Sequence, residues 1–126
     1  MSTLETLAPS IQAVKAVLAE LADAGIPATR DPGAFFPQPV GVLVGLPTLI
    51  RRTQNGRVYT IQVLIVSGDP FNALGAVDRA LALADDVALA LRADNYRPSS
   101  WRSSGRAEPL PALELTVTAT AKEASP

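Results

Sequence analysis

Residues 46–67 read Leu-Pro-Thr-Leu-Ile-Arg-Arg-Thr-Gln-Asn-Gly-Arg-Val-Tyr-Thr-Ile-Gln-Val-Leu-Ile-Val-Ser. Asn55-Gly56 lies between two runs rich in β-formers, and a tight hairpin turn needs positive φ at both central residues, which Asn-Gly supplies. Residues 46–53 and 57–67 are therefore expected to pair antiparallel, with Ile50 opposite Ile61 and Arg52 opposite Tyr59. Ile61, Val63 and Ile65 share one face of the second strand, and Leu64 and Val66 share the other. Its far end reads as covered on both sides. Strands joined by a tight hairpin cannot be parallel neighbours, so the sheet is expected to be mainly antiparallel.

Upstream, Val40, Val42 and Val44 alternate in a strand over residues 40–45, and Gly41 and Gly45 mark close approach of other groups. Before it, Asp31-Pro32-Gly33 signals a turn, and a proline-rich loop carries Phe35, Phe36, Pro37 and Pro39. Residues 26–30 read as a short extended piece. The first helix is marked by Leu4, Leu7, Ile11, Val14, Leu18 and Leu21 at spacings of three and four. Ala13, Ala16, Ala19 and Ala22 favour helix. Pro9-Ser10 places the regular start there, leaving residues 1–8 as an arm, and Gly25 is the expected C-cap ahead of Pro27.

Downstream, Ser67-Gly68-Asp69-Pro70 breaks the strand, with Asp69-Pro70 read as turn and capping chemistry. A second helix is expected over 73–94, burying Leu74, Val77, Leu81, Ala84, Ala88 and Leu91. The polar stretch 95–112 contains a possible strand around Trp101 and Arg102. Then Leu113, Leu115, Val117 and Ala119 alternate with Glu114, Thr116, Thr118 and Thr120, the pattern of a half-buried strand. Residues 122–126 read as a frayed tail. The element order predicts an α+β two-layer domain, a mainly antiparallel sheet with two helices packed on one face.

At 126 residues the chain has the length of a single domain, and 48% hydrophobic against 18% charged residues gives it a core. It has no cysteine and no histidine, which excludes disulfides, thiolate nucleophiles and zinc–cysteine sites and removes the commonest general base near neutral pH. Net charge is −1, so no strong overall field draws it to nucleic acid or membrane. The start lacks the positive region of a signal peptide, and no apolar run has membrane-spanning length. A cytoplasm-like compartment is expected.

Chemistry-bearing motifs are sparse. Gly41 and Gly45 are not followed by Gly-Lys-Ser/Thr, so no phosphate-binding loop is present. Asp85 and Asp86 are helix neighbours that diverge rather than converge on a metal or proton. No catalytic, cofactor or metal residue is expected, and the chain reads as a non-enzyme. The distinctive groups are basic and aromatic: Arg51, Arg52 and Arg57 around the hairpin tip, then Tyr96, Arg97, Trp101, Arg102 and Arg106. No acidic residue occurs between Asp31 and Asp69. These groups fit phosphate contacts, a protein interface, or solvated surface charge. Phe35 and Phe36 are either an exposed docking point or a cap on the core.

The Asp31-Pro32-Gly33 turn, the Phe35-Phe36-Pro37-Gln38-Pro39 loop, the arginine hairpin, Val63-Leu64-Ile65-Val66-Ser67-Gly68-Asp69-Pro70, the alanine-rich helix and Arg97-Pro98-Ser99-Ser100-Trp101 together carry a resemblance over nearly the whole chain. In texture and element order it resembles the tail terminators and related neck proteins of long-tailed bacteriophages of actinobacteria. The resemblance implies a hexameric ring in the virion, assembled in the host cytoplasm, at the head-proximal end of the tail tube. Such a ring ends tube polymerisation and joins the head connector. Its implied partners are further copies of itself, the major tail tube protein, a connector or neck protein, and genomic DNA passing through the lumen without sequence-specific contacts. No membrane partner and no cofactor are implied. A closed ring needs two different complementary side surfaces on each subunit. Alternatives are a head-completion or connector protein, and a small ligand-sensing α+β domain, which would need a pocket with converging polar groups. An enzyme would need a shifted carboxylate in a cleft.

Overall fold

The computed structural model describes residues 8–35, 37, 39–54, 56–68, 72–102 and 109–122. The elements are α1 (Pro9–Asp23), β1 (Val40–Thr53), β2 (Gly56–Ser67), α2 (Ala73–Leu91), β3 (Arg97–Trp101) and β4 (Leu110–Lys122). The strands form one antiparallel sheet in the order β1-β2-β4-β3. Both helices pack on the same face, which makes the α+β two-layer domain expected from the element order. Leu4 and Leu7 of the expected first stripe, Phe36, Asp69-Pro70 and Arg106 lie outside the described residues.

Helix α1 starts with Pro9 in its first turn, where the missing N–H is no loss. It buries Ala13, Val14, Val17 and Leu21, while Ile11 and Leu18 are only half-buried. Its end is a paired-bond cap: Gly25 N–H donates to Ala22 (3.0 Å) and Ile26 N–H to Leu21 (2.9 Å). Gly25 has φ +77° there, and Ile26 and Leu21 are both buried, the apolar contact that accompanies such a cap.

Helix α2 is capped by Asn72, whose side chain accepts from the Gly75 N–H at 3.0 Å. It ends at Leu91, short of the expected residue 94, because Arg92 turns left-handed at φ 57°. Its buried face differs from the expected stripe. Ala76, Ala80, Ala84, Val87 and Leu91 face the sheet, while Leu74 and Leu81 are exposed. The physical reason is space. Three short alanine side chains let the helix sit close over a sheet row already filled by Ile61, Val63 and Ile65, each fully buried.

The expected strand over 40–45 and the first hairpin strand are one continuous strand, β1. Pro47 is accommodated because β1 is an edge strand. The hairpin register also differs from expectation. The ladder closes at Thr53↔Gly56, so Arg52 pairs with Arg57 and Pro47 with Ile61. Two bulges interrupt β1, between Val44 and Pro47 and between Leu49 and Arg51. The offset is already two residues at the turn, where Gly56 belongs to β2 rather than to the turn pair, and each bulge, placing two β1 residues against one on β2, adds one more. Gly41 and Gly45 mark close approach as expected: a Cβ at Gly41 would lie 2.7 Å from the Phe35 ring, and one at Gly45 3.1 Å from the Gln62 carbonyl.

Arg92 holds a backbone conformation that costs an L-residue with a side chain about 1–2 kcal/mol. Replacing it with glycine is expected to raise the unfolding free energy by about 0.5–1 kcal/mol after glycine's own entropic cost. Denaturant midpoints of the Arg92→Gly and Arg92→Ala proteins check this. A lower midpoint for the glycine variant would show that the Arg92 side chain contributes more than its backbone loses.

Candidate protein interface

The structure separates the two basic segments. Arg52 and Arg57 form a cross-strand pair at the turn end of the sheet, level with Ala121 of β4. Arg97 pairs with Glu114, seven residues back along β4, on the opposite edge strand. At about 3.4 Å per residue, that is roughly 24 Å along the strand. The two segments are therefore separate surfaces at diagonal corners of the sheet.

The second segment is largely engaged within the chain. Arg97 donates through Nε (3.1 Å) and Nη2 (2.7 Å) to one oxygen of Glu114. Tyr96 donates its hydroxyl to Asp85 of α2 at 2.8 Å, and that hydrogen bond holds its phenol above the ordinary value. Trp101 meets Phe35 edge to face, with centroids 5.0 Å apart and planes at 90°. Phe35 also covers Gly41, so it reaches across the sheet on the face away from the helices. Val66 and Ala112 lie buried on that face. Pro37 is buried beside them, and its carbonyl sits where Gly68 leaves no room for a Cβ. Phe35 is thus a half-buried clamp between the loop and β3, and Arg102, just past Trp101, is exposed.

The first segment is different. Every residue of β1 from Thr48 to Thr53 is exposed, while Gly56, Val58 and Tyr59 across the ladder are buried. The outer edge of β1 is covered only as far as Val44, where Thr29 bridges it: Thr29 N–H to Val42 O (3.2 Å) and Val44 N–H to Thr29 O (2.8 Å). Beyond Val44, no strand among the described residues pairs with that edge. The two bulges fall within this open stretch, and each sets a large apolar residue, Leu46 and Ile50, outside the regular ladder. Leu49 is also exposed, and Arg51 and Arg52 follow directly. Reading the register from the turn alone hid this arm, because a bulge leaves no composition signal beyond an isolated glycine such as Gly45.

Two of the larger concavities are shallow and mostly apolar. One, about 390 Å³, is lined by Ile26, Ala28, Phe35, Val40, Val42 and Leu83 among others, with Thr29 the only polar side chain. Another, about 490 Å³ beside the end of α1, has Asp86 as its single charged group. Among the described residues no three acidic groups cluster to hold a cation, and no helix is long and apolar enough to cross a membrane. No known protein-family model matches this chain, and no curated protein matches it in sequence.

The Phe35–Trp101 contact is expected to be worth about 0.5–1.5 kcal/mol beyond the area it buries. A double-mutant cycle with Phe35→Ala and Trp101→Ala, read by chemical denaturation, checks it. A coupling near zero would mean that the loop is held by Pro37 and Gly68 without the ring pair.

Proposed function

We propose that this chain is a non-enzymatic assembly subunit of a long-tailed bacteriophage neck: a tail terminator that forms a ring, in six copies on the resemblance, at the head-proximal end of the tail tube. In this role it ends tube polymerisation and offers a surface to the head connector, and DNA passes through the lumen without sequence-specific contact. The observation that carries the reading is the 46–53 arm. An open strand edge that exposes Leu46, Leu49 and Ile50 together is what an isolated domain avoids and an assembly subunit uses. Arginines beside exposed apolar residues also fit a contact surface better than a phosphate track, which needs no apolar side chains.

The element order and sequence texture described above support the phage assignment, and the diagonal separation of the two basic corners suits a subunit with two different sides.

Particles made without this protein test the role by electron microscopy. Detached heads beside tubes of uncontrolled length are the expected result. Uniform tails beside empty or leaking heads would move the protein to the head-side connector. Normal infectious particles would overturn both placements.

A further inference from the structure

The exposed leucines of α2 lie outside the buried core. Leu74, Leu81 and Leu89 are 74%, 40% and 81% exposed. With Asp78 and Asp85 they occupy positions 74, 78, 81, 85 and 89, spacings of three and four that place them on one helical face. Asp86 flanks that face and is also exposed. The arm on β1 has the same make-up with the opposite charge: Leu46, Leu49 and Ile50 are 89%, 43% and 50% exposed and lie beside Arg51 and Arg52. Its local sequence contains no acid.

We propose that the 46–52 arm of one copy docks on the Leu74–Asp78–Leu81–Asp85–Leu89 face of α2 in a second copy. The inference takes the ring from the reading above and names the contact that builds it. Three features select this pairing over others. Arm against arm would bring arginines together, and α2 against α2 would bring aspartates together, so like charges oppose both symmetric contacts. Arm against α2 pairs opposite charges around two apolar clusters, the pattern of an interface core with a charged rim. The two surfaces also lie on different sides of the subunit. The arm is on edge strand β1, while Asp85 is tied through Tyr96 to the start of β3, the other edge strand. A contact between unlike surfaces on one chain repeats head to tail, and it closes into a ring when the rotation allows.

Charge exchange tests this directly. The two single-sided variants are Arg51→Glu/Arg52→Glu on the arm and Asp78→Lys/Asp86→Lys on α2, which spares the Asp85 bond to Tyr96. All four positions are exposed, and thermal melts establish that each variant folds. Sedimentation velocity over a concentration series is expected to show self-association of the natural chain, weakened about tenfold or more in either variant. Mixing the two variants, or combining all four changes in one chain, is expected to restore it. In each rescued case an acidic arm meets a basic helix or a basic arm meets an acidic one.

Three results would overturn the proposal. One is a natural chain that stays monomeric to about 1 mM. Another is no loss in either variant. The third is a loss that neither mixing nor combination rescues, which would direct the arginines to nucleic acid or a different protein. If a charge variant does not fold, crosslinking replaces it, because the chain has no cysteine of its own. Leu49→Cys and Leu89→Cys proteins, mixed and oxidised, are expected to form the mixed dimer faster than either homodimer, and equal rates would count against the contact. A ring that persists in both charge variants would place the seam elsewhere and leave the ring reading standing. Normal particles without the protein would remove the ring reading and leave the contact to be judged by sedimentation alone.

Discussion

Strand β2 is paired along its length on both sides, with β1 from Val40↔Ser67 to Thr53↔Gly56 and with β4 from Gly56↔Lys122 to Val66↔Ala112. Its Ile61, Val63 and Ile65 row is fully buried, and each such side chain contributes about 1.5–3 kcal/mol when withdrawn from water. The rest of the fold is arranged around this strand. Helix α2 lies over the sheet through Ala76, Ala80 and Ala84 in its first half and Val87 and Leu91 toward its end. The 31–39 loop reaches its far end only because Gly41 and Gly68 leave space for Phe35 and Pro37.

The price of a fully paired centre is an edge on each side of the sheet. One edge, β3, is short and is braced by Arg97–Glu114, by Tyr96–Asp85 and by Phe35 on Trp101. The other, β1, is long and only half protected. Thr29 caps it to Val44, and beyond that point the chain has bulges, which twist an edge away from simple strand addition, and arginines, which repel a like edge. These devices guard against indiscriminate pairing. The same stretch exposes Leu46, Leu49 and Ile50, an apolar patch of the kind that marks a contact surface. On the proposed reading, protection against wrong contacts and provision for a right one sit in the same eight or so residues.

Much of the fold was legible in the sequence because the physics that sets it is local. Asn-Gly between β-rich runs marks the hairpin, although Gly56 proves to be the first residue of β2, paired with Thr53, and not half of the turn pair; Gly25 before a proline marks a helix end, and the period-two run in β4 marks a half-buried strand. What was not legible depended on choices made in three dimensions. Leucine and alanine both count as apolar, so the helical period of α2 admits two neighbouring stripes. The distance to the β2 row selects the alanine one and leaves the leucines outside. The hairpin register departs first at the turn, where Gly56 already pairs with Thr53, and then by one further residue at each bulge, since bulges follow from how β1 bends at the sheet edge. The arginine pair was visible in the sequence, but the apolar residues that turn it into a surface became evident only once the bulges had set the register. Phe35 and Trp101, read as candidate contact residues, meet each other instead.

An arm that is open in the free subunit and covered in the assembly differs from ordinary surface in one measurable property, the protection of its backbone amides. Hydrogen exchange of residues 46–53 in the isolated chain and in assembled particles tests this most directly. Fast exchange in the free chain of those 46–53 amides that point away from β2, and their strong protection in the assembly, with β2 protected in both, is the expected result. Equal exchange of the outward-pointing 46–53 amides in the two states would contradict the assignment of this edge as the assembly surface.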